Sequence, residues 1–285
     1  MYVETYGPDN GFFIEGWRAL HFPLTSSIVE KSYREGGTTI CILKSGKAKL
    51  KLVPSFSPIG IEECKIKKNN IEITIAGLGG GGVSASFSRG MAEGVKSVNV
   101  INDGGGTKLG KAILIIPKKR LLLIGVDDTD NNIEGATYSL VHNITTKISN
   151  KLNVRYSIHV NVQLYPYNPT KTKNCFATVV GIIFSTDKEK NKIINTFAKE
   201  LKKNSFSKET GMAVYEGFTF NKKFTSLCES VKYKFIKDVN VLIKSANING
   251  ITTKMITGKR GLIGAIAALP FFDKPDFAVS LPTKP

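Results

Sequence analysis

Cysteine is scarce in this sequence, and the few cysteines that it has are far apart. They are Cys41, Cys64, Cys175 and Cys228. No Cys-x-x-Cys pair occurs, and no histidine stands at metal-ligand spacing from any of them. Zinc ribbons and disulfide-stapled folds both need closely spaced cysteines. We therefore expect isolated thiols and no structural zinc.

Long apolar runs are also missing. No stretch approaches the roughly 18 consecutive apolar residues that a membrane-spanning helix needs. The opening residues Met1-Tyr2-Val3-Glu4 lack the basic start and apolar stretch of a secretory signal. We expect a cytoplasmic protein that does not enter a membrane.

Acidic residues are in short supply, and the imbalance is uneven along the chain. The net charge is +17, and residues 118–285 carry 26 basic and 13 acidic side chains, which is +13 of that total. Such an excess suits a polyanionic partner, whether a nucleotide, a nucleic acid or an acidic protein surface. Runs such as 188–190 and 199–203 are equally typical of the solvated face of a helix, so the charge alone leaves both interpretations open.

The first part of the chain reads as short strands. A length of 285 residues suggests more than one domain. Residues 38–43, 47–53 and 71–75 are rich in apolar and β-branched residues, and the last two stretches alternate with period two, which predicts strands with one buried face. Prolines and asparagines between them predict turns. We expect a β-rich N-terminal domain over residues 1–117.

A glycine-rich stretch follows these strands at residues 77–82. With a helix expected over 84–96, a strand over 98–101 and then Asp103, it has the layout of a dinucleotide-binding turn, in which glycines let backbone N–H groups approach a pyrophosphate. The further glycines at 104–106 and the antiparallel character of the strands favour a tightly packed turn instead. Both interpretations stand.

The second part of the chain alternates strands and helices. Residues 117–120 interrupt two apolar strands and mark the predicted domain boundary. The predicted elements after it are a central strand at 121–126, a helix from Gly135, strands at 155–163 and 178–184, and a helix at 188–203. This order is that of a ferredoxin-like split βαβ unit. A strand at 212–215, a helix near 220–233 and apolar stretches at 239–243 and 261–269 follow.

Three aspartates cluster where the central strand ends. Asp127, Asp128 and Asp130 fall within four residues, and like charges packed together repel unless a cation lies between them. Hard cations such as Mg²⁺ take oxygen ligands, commonly one or two carboxylates with substrate phosphates completing the shell. The alternative is a solvated loop in which Asp130 or Asn131 caps the next helix.

A polar loop at residues 164–174 carries two lysines interleaved with threonines and asparagines. A lysine serves as a point charge for phosphate, and hydroxyl and amide groups orient phosphate oxygens or a metal-bound water. A proline-bearing polar turn would have the same composition, so the loop alone decides nothing.

Four stretches together resemble one enzyme. Residues 125–130 (GVDDTD), 168–174 (NPTKTKN), 210–214 (TGMAV) and 258–265 (GKRGLIGA) are similar, in the same order, to motifs of the archaeal agmatinylcytidine synthetase that modifies an isoleucine tRNA. The whole chain, with its glycine-rich first half, resembles the methanogenesis marker protein 11 family.

The resemblance implies an α+β fold and a kind of chemistry. It implies a kinase-like α/β domain at 118–206 after the β-rich domain, and then a ferredoxin-like α+β region at 207–285. It also implies Mg²⁺-dependent ATP binding and phosphoryl transfer. Carried over residue by residue, it makes Asp127, Asp128 and Asp130 metal ligands, Asp127, Asp128 and Lys171 catalytic, and Asn168, Thr172, Asn174 and Thr137 the nucleotide-binding set.

We therefore expect an ATP-dependent phosphotransferase or ligase-like enzyme associated with methanogenesis. Its acceptor is unknown, and a methanogenic enzyme and RNA are the candidates. One alternative is an RNA-modifying enzyme that works with a partner, and another is a non-catalytic assembly factor that senses nucleotide. The synthetase binds tRNA with an OB-fold and a zinc ribbon, and we find neither pattern in residues 1–285. Binding to tRNA should accordingly be weak and non-specific.

Overall fold

A computed structural model describes residues 1–5, 11–35, 37–172 and 174–282, without the side chains of residues 11–17 and 35. The chain divides into two compact units, Met1–Lys118 and Lys119–Pro285. Strands and helices mix in both, and every sheet is antiparallel, which confirms the α+β prediction. No helix in the described ranges is both long and apolar enough to cross a membrane.

The first unit is built mainly from strands. Its elements are β1 (Tyr2–Thr5), α1 (Gly11–Thr25), β2 (Val29–Glu35), β3 (Thr38–Leu43), β4 (Gly46–Lys47), β5 (Ile59–Ile66), β6 (Asn70–Leu78), α2 (Gly79–Ser86), β7 (Ser97–Gly105) and β8 (Lys108–Pro117). One sheet has the order β1-β3-β2 and the other the order β4-β5-β6-β8-β7. Apolar residues from both sheets and from α1 share one core, which includes Phe22, Cys41, Ile61 and Ile75.

Two elements of the first unit differ from the prediction. The strand expected at 47–53 is reduced to β4, because Ala48 donates its N–H to Glu62 and Lys51 donates to Thr25, which leaves no continuous strand partner. The helix expected at 84–96 instead begins at Gly79 and ends at Ser86. A short 3₁₀ turn then precedes β7.

The glycines around α2 have a packing explanation. A Cβ on Gly110 would overlap the backbone of Gly82, and a Cβ on Gly82 would overlap the carbonyl of Gly77, so helix and sheet meet backbone to backbone. The strand after α2 pairs antiparallel with β8, as does β6, so the parallel crossover of a dinucleotide-binding fold is not formed. The tightly packed turn is the interpretation that fits.

The second unit alternates strands and helices around one sheet. Its elements are β9 (Arg120–Asp127), α3 (Thr137–Leu152), β10 (Arg155–Gln163), β11 (Phe176–Phe184), α4 (Asp187–Asn204), β12 (Gly211–Glu216), α5 (Lys222–Ser230), α6 (Val239–Ile248), β13 (Thr252–Met255), α7 (Leu262–Ala268) and α8 (Pro275–Val279). The sheet order is β10-β11-β9-β12-β13. From β9 to α4, this is the predicted split βαβ order, and β12 completes it beside β9.

The central strand β9 is buried on both faces, as its unbroken apolar sequence predicts. Leu122, Ile124 and Val126 join a core with residues of α3 and α4. On the opposite face β9 packs against α7. Gly125 allows this contact, because a Cβ there would overlap the carbonyl oxygen of Ala265. The last residue of the strand, Asp127, faces α7 as well.

The predicted boundary between residues 206 and 207 falls inside the second unit. The reason is hydrogen bonding: β12 pairs with β9 from Gly211–Asp127 to Glu216–Leu122, so both expected regions share one sheet. The division into functional regions at 1–117, 118–206 and 207–285 stays a prediction.

Candidate functional site

The three aspartates diverge because the backbone turns sharply where β9 ends. Asp128 has φ of 60°, the left-handed region that only a few per cent of non-glycine residues enter and that aspartate tolerates better than most. The Asp128 N–H donates to Oδ1 of Asp127 at 2.7 Å. Each carboxylate then meets a different set of neighbours.

Asp127 lies against helix α7, where only glycine fits. A Cβ at Gly264 would overlap the Asp127 carboxylate. Burial raises the pKa of Asp127 well above its usual range, and the neighbouring charges of Asp128 and Asp130 raise it further. No described side chain donates a hydrogen bond to Oδ2 of this carboxylate. The site therefore disfavours an isolated anion and would gain from a cation.

Asp128 is held by an arginine from the far end of the chain. Its Oδ2 accepts from Arg260 Nε at 3.0 Å and Nη2 at 2.9 Å, and its Oδ1 accepts from Ser207 Oγ at 2.8 Å. The Asp128 carbonyl accepts from Thr210 Oγ1 at 2.7 Å. Its charge is thus already compensated by the protein.

Asp130 is held by two threonines from the predicted nucleotide-binding set. Thr137, at the start of α3, donates to Oδ1 at 3.2 Å, and Thr172 donates to Oδ2 at 2.8 Å. Thr137 also accepts from the N–H and the hydroxyl of buried Thr129. Thr172 thus brings the polar loop to the aspartate cluster, as the sequence predicts for neighbouring parts of one site.

The rest of the polar loop folds back on itself. Asn168 Oδ1 accepts from the N–H and hydroxyl of Thr170, both at 2.9 Å. The Lys171 ammonium donates to the carbonyl of Pro166. Asn174 borders the same cleft, whereas Lys173 lies outside the described residues.

One cleft unites all three aspartates with this loop. It is lined by Asp127, Asp128, Asp130, Asn168, Lys171, Thr172 and Asn174, by apolar residues such as Tyr165, Phe235 and Ile263, and by Lys234 and Arg260. Thr137, which donates to Asp130, borders a second hollow instead. Every other predicted site residue lines the cleft.

Cys175 adds a thiol to the lining of the cleft. Burial and the charge of Asp127 raise the pKa of Cys175 to about 11. The other polar groups around the aspartates are mostly oxygens, which suit hard cations such as Mg²⁺ or Ca²⁺.

A magnesium ion fits these donors through few protein ligands. Within the described part of the chain, no three His, Cys, Asp or Glu side chains lie close enough together to hold a metal ion. Mg²⁺ is commonly held by one or two carboxylates, with water and phosphate as the other ligands. Asp127 meets that requirement. Metal ligation by all three aspartates, and the catalytic roles of Asp127, Asp128 and Lys171, stay predictions.

The sequence analysis did not predict several residues of the site. Arg260 and Gly264 stand in the 258–265 stretch, which the resemblance had marked without assigning a role. Glu209 fixes that stretch by accepting the N–H groups of Lys259 and Arg260 at 3.0 and 2.9 Å. Lys234 was not predicted as a site residue, because the residues before it were interpreted as part of a helix.

Residues 123–190, within the second unit, match the family model of the TiaS TCKD domain. The resemblance of this region to the agmatinylcytidine synthetase is thereby confirmed. The chain belongs to the family of Uncharacterized protein MJ0921 from Methanocaldococcus jannaschii, with 40% identity over 268 residues that cover 94% of this chain and 87% of that protein. Membership of the methanogenesis marker protein 11 family stays a prediction.

Solved structures are similar to about half of this chain. Apo TiaS, described as a tRNA agmatidine synthetase, is 16% identical, with a TM-score of 0.45 over 53% of this chain and 35% of TiaS. TiaS in complex with tRNA and ATP gives 16% identity and a TM-score of 0.44 over 53% of this chain and 36% of that one. The chain thus spans about a third of the length of the TiaS chains.

Proposed function

We propose that the second unit binds Mg²⁺ and ATP in the cleft and transfers a phosphoryl group to a second substrate. The observation that carries the proposal is Asp127, a carboxylate at the end of a central strand with a raised pKa and an oxygen that accepts no hydrogen bond from any described side chain. A carboxylate kept in this state is stabilised when a cation binds. The match of residues 123–190 to the TiaS TCKD domain supports the same interpretation.

The lining of the cleft suggests how a nucleotide would lie. The aspartates and the polar side chains Asn168, Thr172 and Asn174 would surround the metal ion and the phosphates. The base and ribose would lie along the apolar lining residues Tyr165 and Phe235.

The residues of the chain would divide the work. Asp127 would hold the metal ion, which when bound would neutralise charge on the phosphate oxygens. Asp128 with Arg260, and Asp130 with Thr137 and Thr172, would fix the shape of the turn around it. Asn168, Lys171 and Asn174 would contact phosphate oxygens once Lys171 leaves Pro166.

The test is calorimetric titration of ATP with and without Mg²⁺. We expect affinity to depend on the metal and to fall more than about a hundredfold in Asp127→Ala, since changes to outer-shell partners alone cost ten- to hundredfold in metal affinity. Asp127→Ala should remain folded without metal, because it removes a buried charge. Equal ATP affinity in the presence of Mg²⁺ and of a chelator would contradict the proposal.

A second candidate is RNA modification together with a partner protein. The similarity of residues 123–190 to TiaS, whose structures include a complex with tRNA, favours it, as does the net charge of +17. Diffuse lysine charge gives binding that weakens steeply with salt and does not discriminate sequences. We expect weak, unselective binding to several tRNAs at near-physiological salt. Tight selection of one tRNA would place RNA modification first.

Two further questions need separate experiments: whether the protein is an enzyme, and which acceptor it uses. ATP turnover by the purified protein with a candidate acceptor separates an enzyme from a nucleotide-sensing assembly factor. An affinity pull-down from a methanogen extract with ATP present, followed by identification of bound protein and RNA, addresses the acceptor. Recovery of a methanogenic enzyme would support the association with methanogenesis.

A further inference from the structure

Three cations line the cleft among the described residues, and one of them has no protein partner there. Arg260 pairs with Asp128, and Lys171 donates to the carbonyl of Pro166. The exposed ammonium of Lys234 makes no hydrogen bond or ion pair with any described residue. Lysine is a point charge that suits phosphate oxygens. The difference singles out Lys234.

The segment that carries Lys234 is fixed to the cleft wall. Val231 accepts the Tyr165 N–H at 3.1 Å, which ties the segment to the start of the polar loop. The Lys234 N–H donates to Ser230 at 3.1 Å, so this lysine continues from the end of α5. The backbone that carries this unpaired ammonium is thus held at the cleft through Ser230 and Val231.

A second lysine of the same segment, Lys232, also connects it to neighbouring elements. Lys232 is fully buried, and its ammonium donates to the carbonyls of Gln163 at 3.0 Å and Ala278 at 2.7 Å. The rings of Phe271 and Phe277 each lie 5.5 Å from it. Burial lowers the pKa of Lys232 to about 8. One side chain thus joins the end of β10, α8 and the segment with Lys234.

We propose that Lys234 contacts the phosphate chain of the nucleotide in addition to the polar loop of Lys171, and that buried Lys232 is the positioning residue that holds Lys234 at the cleft. This inference rests on the proposed function. Nothing in the sequence distinguishes these two lysines from the other lysines of a basic chain. Their opposite environments, one fully buried and one exposed at the cleft without a partner, are what separate them.

The first test compares Lys234→Ala with Lys237→Ala by calorimetric titration of MgATP. Lys237 belongs to the same segment, is exposed and does not line the cleft. A hydrogen bond to a charged group is worth a factor of about ten to a hundred in affinity. We expect that loss in Lys234→Ala, recovery in Lys234→Arg and unchanged affinity in Lys237→Ala.

The two proposals fail in different ways. Wild-type affinity in Lys234→Ala, together with loss of binding in Asp127→Ala, overturns the role of Lys234 and leaves the proposed function standing. A wild-type protein that does not bind MgATP overturns both. An equal loss in Lys237→Ala overturns the specific contact in favour of diffuse attraction.

A double-mutant cycle tests the positioning role of Lys232. Lys232→Met should weaken MgATP binding in the wild-type background and have no further effect in Lys234→Ala, because it acts through that lysine. An equal loss in both backgrounds would overturn the positioning role. If Lys232→Met does not fold, Lys232→Arg serves in the same cycle.

Discussion

Two regions of the molecule carry the sequence features of an anion or phosphate site, and the structure gives them different roles. In the first unit, glycine is required where α2 meets β8, because the two backbones are in contact there. In the second unit, the aspartates after β9 are held apart around a cleft. Gly110 meets the backbone of Gly82, whereas Gly264 meets a carboxylate.

The difference shows that the role of a glycine depends on the atoms that it contacts. Where a glycine contacts backbone, as Gly110 does, we expect its replacement by alanine to lower the stability of the fold. Where a glycine contacts a site carboxylate, as Gly264 does, we expect the same replacement to lower the affinity for the ligand.

Gly110→Ala should have the largest effect on stability. A Cβ there has no room against the Gly82 backbone, which cannot rotate away as a side chain can. Overpacking costs about 1–3 kcal/mol, and we expect about 3 kcal/mol in thermal or denaturant unfolding, with MgATP affinity unchanged. Gly80→Ala is the control, because its Cβ would meet nothing within 4 Å. Lost nucleotide affinity in folded Gly110→Ala would make the glycine turn an anion site after all.

Gly264→Ala should reverse that pattern. Alanine favours a helix over glycine by about 0.5–1 kcal/mol, so α7 should tolerate it, while Asp127 has to move away from its place. We expect MgATP affinity to fall about ten- to hundredfold, comparable with the loss of an outer-shell partner. Calorimetric titration beside a melting curve measures both quantities. A large loss of stability with intact affinity would make Gly264 a packing glycine like Gly110.

Asp128→Ala should have a smaller effect on stability. The substitution leaves Arg260 without its carboxylate, but the Arg260 side chain is 40% exposed and water can replace the partner. Exposed ion pairs contribute about 0.2–1 kcal/mol. We expect a loss within that range in denaturant unfolding and little further change in Asp128→Ala combined with Arg260→Ala. A loss of several kcal/mol would show that the pair is essential for folding.

His159 should give no effect at neutral pH and an effect on stability only as the pH falls. Its ring is stacked on Tyr138 at 3.9 Å and on His142 at 5.5 Å, and its Nε2 is buried without a hydrogen-bond partner in the described residues. Burial, with some contribution from His142, lowers the pKa of His159 to about 4. The unfolded chain then binds more protons between about pH 6.5 and 4, so stability falls as pH drops through that window.

Comparing His159→Phe with the wild type isolates this contribution. We expect the variant to lose less stability than the wild type between pH 7 and 4, measured by denaturant unfolding at each pH. Identical pH profiles would show that protonation of His159 does not oppose folding.

The sequence predicted the second unit better than the first because its signals are local and strong. β9, β10 and α4 follow directly from an apolar run, a period-two alternation and an amphipathic pattern. In the first unit, the helix start at Gly79 was missed because four consecutive glycines disfavour a helix unless the sheet needs close approach. Tertiary contact determined the outcome there.

The site was predictable only in part for a similar reason. Asp127, Thr172 and Asn174 could be placed together from motif order, but the partner of each aspartate could not. Ser207 and Arg260 reach Asp128 only because β12 lies beside β9 and the 258–261 turn is fixed by Glu209. Such neighbours follow from sheet order, and no local pattern encodes sheet order.

The pairing of Asp128 with Arg260 joins residues separated by 132 positions. During synthesis the ribosome therefore releases the family-matched segment 123–190 well before the cleft can close around it. Contacts this distant in sequence form late and slow folding. A nascent or truncated chain that stops before Arg260 and Gly264 should have the aspartates but no competent cleft, so nucleotide binding should report that translation has reached the last helices.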